Sequence, residues 1–267
     1  MFQITFLGAG HLGELILKAW LDKKAFTPKN VSVYLRSKKS ATKIKSKYKT
    51  QSFCLEKNDE IPMASIYLIA VRPAEWPQLR EKLLPILKKN KKAYCISIMA
   101  GIKASELEAQ LGCPCLVAMT NTCLQVGKAL SSQYASPSTK AAQKKACKKL
   151  FEKFGPVFEL DESKFSRATA LGGSHPAFVL WIINQALKIT QEELGIKDSL
   201  TWTQQVFAGA LALTQKEPNI DKLITQVATP GGCTQEGLNT LEALQISSQL
   251  KEVFKNCWLK AETLGKK

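Results

Sequence analysis

Up to about residue 160, short apolar runs of β type alternate with amphipathic stretches, and beyond that point the alternation stops. Gln3 to Leu7, Val31 to Leu35, Gln51 to Leu55, Ile66 to Val71, Ala93 to Ile98 and Leu116 to Met119 have the length and composition of strands. Between them, His11 to Lys23, Pro73 to Lys89 and Ser138 to Phe154 read as helices. This rhythm predicts an α/β fold, a parallel sheet wrapped by helices. After Val157-Phe158-Glu159-Leu160, long helical segments follow one another without further strand-like runs. The expected division is therefore a sheet domain over residues 1–160 and an all-helical domain over 161–267. In the second, Pro176 to Leu194 reads as a helix with Ser174 or His175 as its cap, Pro176 in the first turn and Gly195 just past the end. Its part Phe178-Val179-Leu180-Trp181-Ile182-Ile183 is apolar on every face, which predicts burial inside a bundle or at a subunit interface.

The longest apolar run, about Ala177 to Ile183, is far short of the ~20 residues a membrane span needs. The start of the chain reads as a first strand and not as a signal peptide, so a cytoplasmic protein is expected. Eight cysteines stand at 54, 95, 113, 115, 123, 147, 233 and 257 without paired C-x-x-C spacing. With only His11 and His175 beside them, no metal centre is expected, and the cysteines read as small core hydrophobes. A net charge of +16 poses a choice between nucleic-acid binding and a solvated basic surface. The lysines of 38–49, 88–92 and 140–149 are spaced as on exposed helix faces, and no nucleic-acid-binding motif accompanies them. The solvated surface is favoured: no specific nucleic acid is expected, and weak binding of polyanions follows from charge alone.

Gly8-Ala9-Gly10-His11-Leu12-Gly13 matches G-x-G-x-x-G with a strand before it and a helix after it. In that context the glycines allow a tight turn, close approach to a pyrophosphate and close helix packing, and the helix N-terminus faces the phosphates. A dinucleotide cofactor is expected. At the end of the second strand, where an acid usually meets the ribose hydroxyls, Arg36-Ser37-Lys38 stand instead. A guanidinium grips a 2′-phosphate that a carboxylate would repel, so NADPH is favoured over NADH.

In the second half, Val227-Ala228-Thr229-Pro230-Gly231-Gly232-Cys233-Thr234 precedes a helix and offers backbone N–H groups and a hydroxyl to an anion. By residue chemistry alone it is equally a well-capped helix. The segment resembles the V-[ST]-[ST]-P-G-G-x-T signature of the pyrroline-5-carboxylate reductase family. Other segments agree in order. Ala70-Val71-Arg72-Pro73 resembles A-V-K-P, Ser97-Ile98-Met99-Ala100-Gly101-Ile102 resembles S-x-A-A-G-I, and Thr120-Asn121-Thr122-Cys123 resembles P-N-T-P. The stretch Thr169 to Phe178 resembles T-x-L-S-G-S-G-P-A-Y, and the resemblance extends to about residue 265.

The resemblance implies an N-terminal Rossmann-type parallel sheet, a C-terminal all-helical dimerisation domain, a homodimer or a larger oligomer built from dimers, and NADPH-dependent reduction of the C=N bond of Δ1-pyrroline-5-carboxylate to L-proline. It gives Gly231, Gly232 and Cys233 the substrate carboxylate and Thr234 the ring nitrogen, and it adds Ser174 and Glu217 to the substrate pocket. Glu217 stays open as a plain exposed acid. Ala70, Val71, Arg72, Pro73, Met99, Ala100, Gly101 and Asn121 would line the nicotinamide pocket, and Asn58 would lie near the adenine ribose. The chain departs from the family pattern where both prolines of P-N-T-P are missing, which leaves that loop free to be looser or differently shaped. His175 replaces a glycine, where it could cap a helix, narrow the pocket or assist protonation. These departures keep open a relative that reduces another cyclic imine, or one that binds NADP without turnover and serves a regulatory role.

Overall fold

The computed structural model describes residues 3 to 264. In chain order the elements of its first part are β1 (Ile4–Leu7), α1 (His11–Asp22), β2 (Val31–Leu35), α2 (Lys38–Tyr48), β3 (Gln51–Cys54), β4 (Ile66–Ile69), α3 (Trp76–Lys89), β5 (Tyr94–Ser97), α4 (Ala104–Leu111), β6 (Cys115–Met119), β7 (Ser131–Ala135), α5 (Ala141–Phe151), β8 (Val157–Glu159) and α6 (Phe165–Ala168). The strands form one sheet in the order β3-β2-β1-β4-β5-β6-β7-β8, parallel from β3 to β6. Strand β7 runs antiparallel to β6, and β8 parallel to β7.

The period of two along the central strands sorts their side chains between two cores. Ile4, Phe6, Ile66, Leu68, Ile96 and Leu116 join one with Trp20, Phe26, Phe151 and Phe154 of the helical side. Leu7, Tyr67, Ile69, Cys95 and Val117 join the other with Trp76, Leu83 and Leu107. Strands buried on both faces read as unbroken apolar runs, which is why they are legible in the sequence. Trp20 anchors the first core, with ring centroids of Phe6, Phe26, Phe151 and Phe154 at 5.6 to 6.1 Å and its indole N–H donated to the Leu150 carbonyl at 2.9 Å.

Strands β7 and β8 add to the six strands expected from the apolar pattern. Strand β7 is Ser-Ser-Gln-Tyr-Ala, and its first three residues are buried polar groups. Its ladder to β6 and the bond from Ser131 Oγ to Thr120 Oγ1 at 2.9 Å satisfy groups that no apolar pattern would reveal. Five cysteines, at 54, 95, 113, 115 and 147, are buried as small core residues; Cys233 is exposed.

The remaining helices are α7 (His175–Leu194), α8 (Ser199–Lys216), α9 (Ile220–Val227), α10 (Cys233–Ala243) and α11 (Ile246–Leu264). The expectation of a helix cap at Ser174 or His175 is overturned, because the backbone is already helical there. Thr169–Ser174 form π-type turns that lead from α6 directly into α7. A Cβ on Gly172 would stand 2.7 Å from Met119 Cε and one on Gly173 3.1 Å from Met119 Sδ, so the two glycines let this wide turn press on β6. Gly195 ends α7 in the left-handed conformation, φ 60°.

The chain divides into two compact units. One runs up to Ser174 and includes the last turns of α11 from Cys257; the other is His175 to Asn256. The division falls beyond the last strand because α6 and the wide turn stay with the sheet. In the helical unit the buried residues are Ser199, Thr203 and Ala228, all small, while Leu180 and Trp181 are each 63% exposed and Leu211 64%. The all-round apolar stretch of α7 is thus not enclosed within one chain. Among the described residues no helix is long and apolar enough to cross a membrane.

Candidate active site

The turn between β1 and α1 is built from contacts that only glycine permits. Gly8 has φ 92°, and an added Cβ would lie 2.7 Å from Val71 Cγ1 and 2.9 Å from the Ala70 carbonyl oxygen. Gly13 brings α1 within 3.0 Å of the Ala70 Cβ by the same measure. Ala70 and Val71 therefore wall the glycine turn. Gly10 differs: with φ −65° and nothing within 4 Å of an added Cβ, the protein's own packing does not require glycine there. Gly10 starts α1 without a side-chain cap, His11 is exposed, and Ala9 and Leu12 pack partly on the core. Strand β1 sits between β2 and β4, so the turn lies at the point where the strand order reverses, the usual seat of a dinucleotide in such sheets. The cradle fits a pyrophosphate.

Beyond β2 the basic residues are partly committed. Arg36 is largely exposed, its Nη1 3.4 Å from Glu75 Oε1, and Arg72 Nη2 donates to the same oxygen at 2.8 Å. The Arg72 guanidinium is the main reason the Glu75 carboxyl is held below its usual range, against the opposing effect of partial burial. Pro73 opens the short helical turn that presents Glu75. Ser37 caps α2 by accepting from Ser40 N–H, and the Lys38 N–H donates to Glu56 Oε2 at 2.8 Å. Asn58 is exposed with φ 55°, a conformation asparagine tolerates well. Sequence reading missed Glu56 and Glu75. The sheet order would have revealed Glu56, since β3 borders β2.

At the ends of β5 and β6 lies a cavity of about 600 Å³, lined by Leu12, Met99, Ala100, Gly101, Met119, Thr120, Glu162, Phe165, Thr169, Gly173 and Glu262 among others. Every lining residue belongs to the sheet unit. Asn121 is adjacent but occupied elsewhere: its Nδ2 donates to the Gly172 carbonyl at 2.9 Å and its Oδ1 accepts from Cys123 N–H at 3.0 Å. Where the family pattern has two prolines, this loop is a short helical turn capped by Asn121 and closed by Gly127 at φ 68°. Asn121 thus ties the loop to the wide turn of residues 169–174.

In the helical unit, Thr229-Pro230-Gly231-Gly232 forms a tight turn with Gly232 N–H donated to Thr229 O at 3.0 Å and Gly231 at φ 74°. Proline followed by a glycine of positive φ is the signature of a type II turn. Gly232 is the N-cap of α10, and no side chain caps that helix, unlike α2, α8 and α9. Thr234 is half-buried in the first turn of α10, and Cys233 is exposed. Ser174, at the end of the wide turn, is also half-buried. His175 meets Phe254 edge-on, with centroids 4.8 Å apart. Glu217 ends α8 with one carboxylate oxygen accepting from Asn219 N–H at 3.0 Å and the other from Lys222 Nζ at 2.6 Å, an arrangement that lowers its pKa chiefly through the lysine.

Two family models match the chain. Residues 162–264 match the pyrroline-5-carboxylate reductase dimerisation domain, and residues 3–101 match the coenzyme F420-dependent NADP oxidoreductase model. Pyrroline-5-carboxylate reductases of Thermus thermophilus and Corynebacterium melassecola are 29% and 27% identical; the first match covers 98% of both chains and the second 100%. The crystal structure of Plasmodium falciparum pyrroline carboxylate reductase with NADP bound aligns at TM-score 0.87 and 21% identity, covering 99% of this chain and 98% of that one. The enzyme of Coxiella burnetii aligns at 0.83 and 24%, covering 100% and 99%. Residues 162–264 thus match the dimerisation domain of pyrroline-5-carboxylate reductases, and the chain is similar to reductases of that name from end to end.

Proposed function

We propose that this protein reduces the C=N bond of Δ1-pyrroline-5-carboxylate to L-proline with NADPH, as a homodimer or an assembly of dimers. The observation that carries the reading is the glycine turn Gly8 to Gly13, shaped by Ala70 and Val71 and opening beside a 600 Å³ cavity lined by Leu12, Met99 and Ala100. When bound, the nicotinamide supplies the hydride. The chain's residues do the rest by placement and charge. The free N–H groups at the start of α1 face the pyrophosphate, and Arg36, with Arg72 beside it, offers a guanidinium to a 2′-phosphate. Glu75 already neutralises part of that charge, so the preference for NADPH over NADH rests on Arg36 turning from Glu75 to the phosphate.

The bend of Gly231, Gly232 and Cys233 offers uncapped N–H groups at a helix N-terminus to the substrate carboxylate. The Thr234 hydroxyl hydrogen-bonds the ring nitrogen, steadying it as the imine becomes an amine. A protonated imine is already electrophilic, so orientation and charge supply most of what the reaction needs. Both carboxylate oxygens of Glu217 are engaged by Asn219 and Lys222, which favours a role in holding the end of α8 over direct contact with substrate. Oxidation of NADPH and of NADH is to be followed separately against Δ1-pyrroline-5-carboxylate. Turnover with a lower KM for NADPH is expected, and Thr234→Ala should lower the rate by ~10²-fold or more. No turnover at saturating substrate overturns the assignment.

A further inference from the structure

Cys95, Cys113 and Cys115 form a cluster that the reductase reading does not use. They lie where β5 and β6 begin, whereas the cavity lies where those strands end. The sheet register brings them together. Cys95 and Cys115 are partners on adjacent parallel strands, and Cys113 precedes Cys115 by two positions, so alternation turns all three thiols to one face. The three sulfurs lie within 4.8 Å of one another, with the Cys95 and Cys113 Sγ atoms 3.8 Å apart. All three residues are buried and unbridged, and Cys113, at 8% exposure, is the most open.

We propose that these three cysteines form a closed trithiolate site for a thiophilic cation with a filled d shell, copper(I) or zinc(II). An ion bonded to three thiolates in one plane at ~2.3 Å spaces its sulfurs ~4.0 Å apart, inside the range the cluster already spans. Thiolate donors select this class of ion. Among the described residues no fourth cysteine, histidine or carboxylate joins the group. Three-fold coordination favours copper(I), since structural zinc usually completes a tetrahedron. Charge favours zinc(II), which leaves one net negative charge in an apolar site where copper(I) leaves two. Within the cluster the Cys115 thiol donates to the Cys113 carbonyl oxygen at 3.3 Å. Binding forms three metal–sulfur bonds and breaks three S–H bonds, releasing three protons to solvent with no change of oxidation state.

The test uses the reduced full-length protein under anaerobic conditions. Copper(I) is titrated in competition with a chromogenic copper(I) chelator, and zinc(II) in parallel with a zinc indicator. A variant carrying Cys123→Ser, Cys233→Ser and Cys257→Ser removes the accessible thiols without touching the cluster. One ion per chain is expected in both proteins, with a shell of three sulfurs at ~2.3 Å by X-ray absorption. Cys115→Ala should weaken the same ion by ~100-fold or more. The parallel titrations decide between copper and zinc. Uptake of neither ion, uptake lost in the triple serine variant, or a shell of other than three sulfurs overturns the proposal. Each of those readings remains available if Cys115→Ala does not fold.

Discussion

Gly8 and Gly10 separate folding from binding at the level of single residues. Alanine at Gly8 must accept φ 92° and a 2.7 Å approach to Val71, so Gly8→Ala is expected to cost ~1–3 kcal/mol of stability and to weaken nucleotide binding. Gly10→Ala meets no neighbour and should leave the melting temperature unchanged while lowering affinity for NADPH. Thermal unfolding and calorimetry on the two variants check the pair; a Gly10→Ala protein that binds normally would show that no ligand comes close there. Arg36→Ala should raise KM for NADPH at least tenfold with little effect on NADH, since only the phosphorylated ribose engages a guanidinium. These residues were legible because motif and chemistry coincide in one short stretch. Glu75 and Glu56 were not, because they reach Arg36 and the Lys38 N–H from the segments after neighbouring strands, and only the sheet order makes them neighbours.

At the scale of elements, α1 and α2 are joined by Glu14, which accepts from Lys47 Nζ at 2.7 Å and from Tyr48 OH at 2.9 Å. Lys47 is the main cause of a Glu14 carboxyl held below the usual carboxylate range. A depressed folded-state pKa means that the contribution is present above the unfolded value and is lost as pH falls through the folded one. Glu14→Gln should therefore destabilise near neutrality by up to ~1 kcal/mol, a modest figure because Lys47 is half exposed. The difference from the unsubstituted protein should close in acid, as pH falls through the folded-state pKa of Glu14. Urea unfolding at several pH values measures it. Six strands and the principal helices could be read from the sequence because their apolar residues follow one period. Strand β7 could not, since its residues are polar and the Ser131 hydroxyl finds its partner only across the sheet, and the cap expected before α7 is absent because the Gly172-Gly173 pair allows a widened turn where a break was expected.

Over the whole molecule the two units are stabilised differently. The sheet unit buries Trp20, Phe6, Phe151 and Phe154 against one another, and Trp20→Ala there should cost ~3–5 kcal/mol. The helical unit instead exposes Leu180, Trp181, Val206 and Leu211 on a single chain, and an apolar surface of this kind belongs at an interface between copies. Trp181→Asp should reduce the oligomer seen by analytical ultracentrifugation, and an unchanged sedimentation coefficient would exclude that face from the contact. Because the largest residues of the helical unit wait for a neighbour while its interior holds only serine, threonine and alanine, its folding and its association become one reaction. The abundance of the chain then acts as a thermodynamic variable: dilution alone should lower the temperature at which the helices melt and leave the melting of the sheet nearly unchanged.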